Sequence, residues 1–360
     1  MKVLLPLLLT LALAACAGPN PHYVPERPHH RPDGFVNTDP DIRGGTSGLW
    51  GAIARRWRGD FRPAAPPVGG YPAFRQTWEA EVDHARLQQR PQEPTITWLG
   101  HAGALLQVGG INLLLDPQLN DYAGPTAWLS AQRLVPPPLR AAELPAIDAV
   151  LISHNHYDHL DDTTVRELAA TQATAPRWLV PLGVETFLEQ RQIGPTKALD
   201  WWDSVELGPL RIHFTPAQHW SKRTLSDTNA TLWGGFLVEW TPADGGAPWR
   251  FLYTGDTGYS TDFRQIHDRL GAVDFLMVPV GTYEPRDFMR RQHVNPADAV
   301  RIFQDVGARA GLGVHWGTFA LSREPLDQPP QDLAAALAAA GLPVDAIGLM
   351  KHGATQTIAR

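Results

Sequence analysis

Residues 154–159 read His-Asn-His-Tyr-Asp-His, so four metal-capable side chains (His154, His156, Asp158, His159) fall within six positions. Imidazole nitrogen and carboxylate oxygen are the ligands Zn²⁺ accepts where no thiolate is offered. The run follows an apolar stretch at 148–153 with the composition of a buried strand. In extended backbone, residues i and i+2 project to one side, so His154 and His156 can converge on one ion. Asp158 and His159 come a turn later and can face a second. A His-rich surface loop is the plain alternative, but a strand that runs straight into so tight a spacing argues against it.

Three further candidates occur in matching contexts. His219 follows the strand-like 210–214, Asp256 follows 251–253, and His315 follows 312–314. Each stands just past the carboxyl end of a short apolar strand, the edge at which α/β sheets open their binding crevices.

The elements that must position these groups are legible around them. Stretches 95–99, 104–108 and 111–115 alternate as strands, the last two joined by Gly109-Gly110 as a hairpin. A helix is expected over 163–171. Another is capped by Asn295, with Pro296 at its first position, Asp298 in its first turn and Gly307 as its stop. A third covers 332–340 and closes at Gly341. Strands alternating with helices imply a layered α/β body with helices outside, spanning 94–360. The chain has 360 residues, 43% hydrophobic and 19% charged, enough for a sizeable core. A net charge of −6 offers no basic field, so nucleic acid is not an expected partner.

The first residues read as an address. Lys2 precedes an apolar run at 3–13 that is too short to span a bilayer, so 1–15 are expected to be a signal peptide. Leu13-Ala14-Ala15-Cys16 resembles the lipobox of bacterial lipoproteins, and Cys16 is the sole cysteine. That resemblance implies acylation at Cys16. Ala rather than Asp at position 17 implies the outer membrane, facing the periplasm. A cleaved secretory peptide with an incidental cysteine is the alternative. Residues 16–47 are rich in Pro, Gly, Asp and Arg and read as a tether, with His22, His29 and His30 as solvated linker residues. A helical arm is expected over 48–93. Within it Leu49, Trp50, Ile53, Ala54 and Trp57 recur at helical spacing beside Arg55, Arg56 and Arg58, which suits either a lipid surface or packing on the core.

The metal-ligand pattern resembles the metallo-β-lactamase fold, an αββα sandwich of dinuclear hydrolases. The segments at 98–102, 151–161, 201–202, 214–220, 222–225, 254–259, 283–286, 292–293 and 315–321 narrow the likeness to the N-acylphosphatidylethanolamine-hydrolysing phospholipase D family. The resemblance implies one zinc on His154, His156 and His219, a second on Asp158, His159 and His315, and Asp256 bridging the two; iron or manganese suits the same donor set. It implies hydrolysis of N-acylated phospholipid to phosphatidic acid and an N-acylethanolamine, with Asp158, Asp256 and His293 as catalytic residues. Two such ions can activate water and clamp both oxygens of a phosphodiester. Gln292, His293, Tyr283 and Arg286 are the expected substrate-binding residues, with a structural ion pair the plainer reading of Arg286. Lys222 and Arg223 read as a solvated pair. Asp116 and His101 are expected to hold ligands in place by hydrogen bonds; a structural turn role is the alternative for both. His213, His267 and His352 read as structural. The same scaffold serves a lactonase or a nucleotide phosphodiesterase, and a non-enzymatic envelope lipoprotein with a structural zinc is the remaining alternative.

Overall fold

The computed structural model describes residues 19–42, 65–128 and 130–360. Cys16 and the expected amphipathic stretch at 48–57 lie outside them. Two seven-stranded sheets form the body. The first is built from β1 (Thr95–Gly100), β2 (Gly103–Val108), β3 (Ile111–Leu115), β4 (Ala149–Leu151), β5 (Arg177–Pro181) and β6 (Thr196–Leu199). The second takes β7 (Ser204–Leu207), β8 (Leu210–Thr215), β9 (Gly235–Trp240), β10 (Trp249–Tyr253), β11 (Phe275–Pro279), β12 (Ala310–Val314) and β13 (Ile347–Gly348). The chain then returns to the first sheet with β14 (Thr355–Thr357), antiparallel to β1. The strand orders are β6-β5-β4-β3-β2-β1-β14 and β7-β8-β9-β10-β11-β12-β13. Each sheet is mixed, with antiparallel meanders at β1–β3 and β7–β10 and parallel pairs at β3–β6 and β10–β13.

The period of two decides the layers. Ile96, Trp98, Ala104, Leu106, Leu113, Leu115, Leu151 and Leu179 join Ile212, Phe214, Phe236 and Val238 of the second sheet in one core. Their neighbours Leu99, Leu105, Leu114, Val150 and Trp178 face the other way. They pack on Val165 and Leu168 of a helix over Asp162–Thr171. Helices over Asp262–Leu270, Pro296–Asp305 and Gln328–Ala339 cover the second sheet, with Phe263, Ile302 and Leu337 in the shared core. This is an αββα sandwich. Burying a Leu or Phe in these layers contributes roughly 1.5–3 kcal/mol each.

Local chemistry agrees with the expected ends. Gly109 and Gly110 both have positive φ (59° and 77°), as a tight hairpin turn between β2 and β3 requires. Asn295 accepts from Asp298 N at 2.9 Å, and Gly307 follows the helix end at φ 63°. The last helix starts at Gln328, four residues before the expected 332, because Pro329 and Pro330 fit its first turn, where no N–H is needed.

Two expectations need correction. Residues 19–42 are no tether: Phe35 is buried in the core, and His29 and His30 are buried against Asp200 rather than solvated. Apolar and polar anchors in the segment outweigh its loop-like composition. The 48–93 arm is likewise no separate unit where it is described. Its helix over Gly70–Trp78 packs Phe74 and Trp78 on Trp316, and Ala80 N donates to His352 O. The body therefore does not begin at residue 94.

Candidate metal centre

Three strand ends carry non-glycine residues in the left-handed region: His101 after β1 (φ 53°), Asp116 after β3 (φ 34°) and His315 after β12 (φ 63°). Such backbone costs of order 1–3 kcal/mol each and clusters at functional sites. Between these ends lies the loop 153–161, which leaves β4 through Ile152.

The seven expected ligands lie together. His156 Nδ1 is 2.8 Å from His154 Nε2 and 3.2 Å from His219 Nε2, so three imidazole nitrogens of neutral character converge. Beside them, Asp158 Oδ2 is 3.6 Å from His159 Nε2 and 3.4 Å from His315 Nε2. Asp256 Oδ2 stands between the groups, 3.2 Å from His159 Nε2, 3.1 Å from His315 Nε2 and 4.0 Å from His219 Nε2.

The donor set fits metal ions, and the orphaned atoms say so. His159 Nε2, His315 Nε2 and Asp256 Oδ1 are buried without a hydrogen-bond partner. Buried polar atoms are rarely left so, and several at one spot call for an ion. Electrostatics agree. Burial and the neighbouring imidazoles push His154 well below its usual value, and burial takes His156 to about 3 and His219 to about 4, so their lone pairs are free. Burial would raise Asp158 and Asp256, yet facing imidazoles hold both carboxyls well below the usual range. Two buried carboxylates need compensating positive charge. His315, which burial alone would lower, is lifted to about 9 mainly by Asp256.

Surrounding groups fix the ligand rings. Asp116, fully buried, takes His159 Nδ1 at 2.7 Å, Ser153 N at 2.7 Å, Ser153 Oγ at 2.5 Å and Tyr253 Oη at 2.5 Å. His101 Nε2 donates to Asp158 Oδ2 at 2.9 Å. His219 Nδ1 donates to Gln292 O at 2.9 Å, and Ser153 Oγ lies 2.9 Å from His154 Nδ1. In His154, His159 and His219 the bonded nitrogen is Nδ1, which leaves Nε2 for the centre, while His101 orients the Asp158 carboxylate. Ser153 and Tyr253 were not singled out in the sequence, although both adjoin ligand-bearing segments. Asn37, which accepts from His219 N, carries no signal at all there.

His156, Asp158, Asp256 and His315 line a cavity of ≈ 550 Å³. Its walls are apolar at Trp220, Met289 and Leu321 and polar at Lys222, Gln292 and His293. His293 Nδ1 lies 3.7 Å from Asp256 Oδ2. Tyr283 and Arg286, expected to bind substrate, do not line this cavity. Tyr283 Oη donates to Asp332 Oδ2 at 2.5 Å, and Arg286 pairs with Asp298 at 2.7 Å and donates to His293 O at 2.8 Å. The expected solvated pair fails at Arg223 alone. Arg223 donates to Asn155 O and Leu160 O and covers the Tyr157 ring, whereas the Lys222 ammonium has no hydrogen-bond or ionic partner among the described residues.

Residues 111–316 match the β-lactamase superfamily domain, and the chain belongs to that superfamily as a metallo-hydrolase. An isothiocyanate hydrolase from Delia radicum gut bacteria shares the fold at a TM-score of 0.58 and 19% identity, over 73% of this chain and 99% of that one. Within the superfamily, the chain is 36% identical over 246 residues to the N-acyl-phosphatidylethanolamine-hydrolysing phospholipase D 1 of Caenorhabditis elegans, covering 66% of this chain and 67% of the relative. It is 35% identical over 243 residues to the mitochondrial enzyme of that name from Saccharomyces cerevisiae, covering 66% and 50%. The chain therefore belongs to the N-acylphosphatidylethanolamine-hydrolysing phospholipase D family.

Proposed function

We propose that this protein is a dinuclear zinc phosphodiesterase that hydrolyses N-acylphosphatidylethanolamine-like phospholipids to phosphatidic acid and N-acylethanolamine. The observation that carries the reading is the convergence of seven ligand side chains, several with orphaned buried atoms, four of which (His156, Asp158, Asp256 and His315) line a cavity. His154, His156 and His219 would hold one ion and Asp158, His159 and His315 the second, with Asp256 standing between the two groups. When bound, the metal pair supplies Lewis acidity and an activated water. Zinc is proposed on the donor set; iron and manganese are the alternatives that elemental analysis separates. A structural zinc site would have no need of ligands that line a cavity.

The chain's own groups do the rest. The Lys222 ammonium, unpaired at the cavity wall, meets the phosphodiester anion. His293 is held well below its usual pKa, chiefly by burial, and so offers a neutral N–H rather than a charge to a phosphate oxygen. Gln292 lines the wall beside it. Trp220, Met289 and Leu321 give the adjoining hydrocarbon an apolar surface and exclude water from the anion. Residues 16 onward are proposed to hang from a lipid on Cys16 at the outer membrane, which brings the site to its substrate. No helix among the described residues is long and apolar enough to cross a membrane.

The test is hydrolysis of N-acylphosphatidylethanolamine vesicles by purified protein of known metal content, with both products followed. Phosphatidic acid and N-acylethanolamine in equal amounts are expected. Diacylglycerol in place of phosphatidic acid moves the scissile bond and contradicts the reading.

A further inference from the structure

The N-terminal segment that looked like a linker reaches the metal centre. Asn37 is buried, and its Oδ1 accepts from His219 N at 2.9 Å and from Trp233 Nε1 at 3.2 Å. Its Nδ2 donates to Ile42 O at 2.8 Å, which fixes which end of the amide faces His219. The His219 imidazole is held from the other side by Gln292 O. The position of this ligand is thus set by two bonds from distant parts of the chain, one of them 182 residues away.

The segment is fastened upstream. His29 Nε2 lies 2.6 Å from Asp200 Oδ1 and His30 Nε2 lies 3.0 Å from Asp200 Oδ2, all three residues buried. The His29 ring stacks on Trp201 at 4.2 Å. Although this cluster has metal-ligand residue types, none of its buried side-chain atoms lacks a partner. That separates it from the centre, where orphaned atoms abound, and makes it a clamp. Between clamp and Asn37, Phe35 N donates to Asn229 O at 2.9 Å, and a Cβ on Gly34 would stand 2.3 Å from that oxygen. The segment therefore lies flush against the loop that continues from His219 through Lys222 to Thr231. The loop in turn is tied by Lys222 N to Asn155 Oδ1 at 2.9 Å, inside the first ligand cluster.

We infer that residues 29–38 are a working part of the metal centre: Asn37 is a positioning residue that fixes the backbone of His219, and the His29–His30–Asp200 clamp holds Asn37 there. The inference rests on His219 being a metal ligand, the reading given above. Groups that orient ligands typically change metal affinity 10–100-fold when removed.

The experiment uses the full chain and compares wild type, Asn37→Ala, Asn37→Asp and Asp200→Asn for metal retention against a chelator, melting of the stripped protein, and kcat and KM. Asn37→Ala is expected to lose one equivalent about tenfold more readily and to lower kcat, with KM within about threefold. Asn37→Asp keeps an acceptor for His219 N but loses the donor to Ile42 O, so it is expected to recover only part of the retention. Asp200→Asn shifts retention the same way, by less. If Asn37→Ala and Asp200→Asn melt lower yet hold metal as tightly as wild type, the segment is structural only and the inference fails. A wild type that does not bind two equivalents brings down the ligand reading itself, and this inference with it.

Discussion

Asp116→Asn is the most informative single substitution, because it alters one atom and traps the site between two bad choices. The wild-type carboxylate receives four donors: Ser153 N, Ser153 Oγ, His159 Nδ1 and Tyr253 Oη. An amide has one oxygen. If that oxygen stays on Ser153 N, the amide N–H groups face His159 Nδ1. The hydroxyls of Ser153 and Tyr253 can rotate, but the imidazole can yield only by moving its proton to Nε2. Nε2 is the atom directed at Asp256 and Asp158, at 3.2 and 3.6 Å, and once protonated it is no ligand. If the amide turns the other way, the backbone N–H of Ser153 is left facing N–H. A charge-assisted bond lost in a buried network costs about 1.5–3 kcal/mol, and a 10–100-fold loss of metal affinity is about 1.4–2.8 kcal/mol more. Melting of the stripped protein and chelator competition measure the two parts separately. A variant that melts lower yet retains both metals within about threefold of wild type would refute the tautomer argument.

Other substitutions test other parts. Tyr283→Phe should lower stability by about 1–3 kcal/mol through the lost bond to Asp332, with KM within about twofold; a raised KM and an unchanged melt would return Tyr283 to the substrate. Lys222→Met should raise KM for anionic phospholipid vesicles about tenfold, and less so as salt increases; insensitivity to the substitution would remove Lys222 from phosphate binding. Burial holds the His352 imidazole down at about 3, with Nδ1 donating to Trp78 O and Nε2 taking the Thr318 hydroxyl. The unfolded chain takes up this proton below about pH 6.5 and the native state does not, so stability is whole above pH 6.5 and falls as pH drops toward 3. His352→Gln should flatten the melting-versus-pH curve across that window by up to roughly 1.4 kcal/mol per pH unit, and an unchanged slope would count against it.

How much of this could be read from the sequence follows from where the information lies. The strand ends announce themselves: apolar runs stop at 152, 253 and 314, and a polar or left-handed residue follows, so ligands separated by as many as 161 positions could be grouped. Asp116 was legible for the same reason. Tyr283 and Arg286 sit at the right edge of the sheet, but their partners Asp332 and Asp298 come from helices that pack there only in three dimensions. Residues 19–42 misled because Pro, Gly and Asp dominate their composition. The few anchors, His29, His30, Phe35 and Asn37, acquire meaning only beside Asp200 and His219. Strands such as Thr196–Leu199 and Ser204–Leu207 lie at sheet edges, where half-exposed residues blur the alternation.

The central claim is that two ions sit where the seven side chains meet. Anomalous X-ray diffraction from crystals of the metal-loaded protein tests it most directly. Two peaks are predicted, one among His154, His156 and His219 and one among Asp158, His159 and His315, with Asp256 touching both. A single peak, or peaks elsewhere in the molecule, would contradict the account.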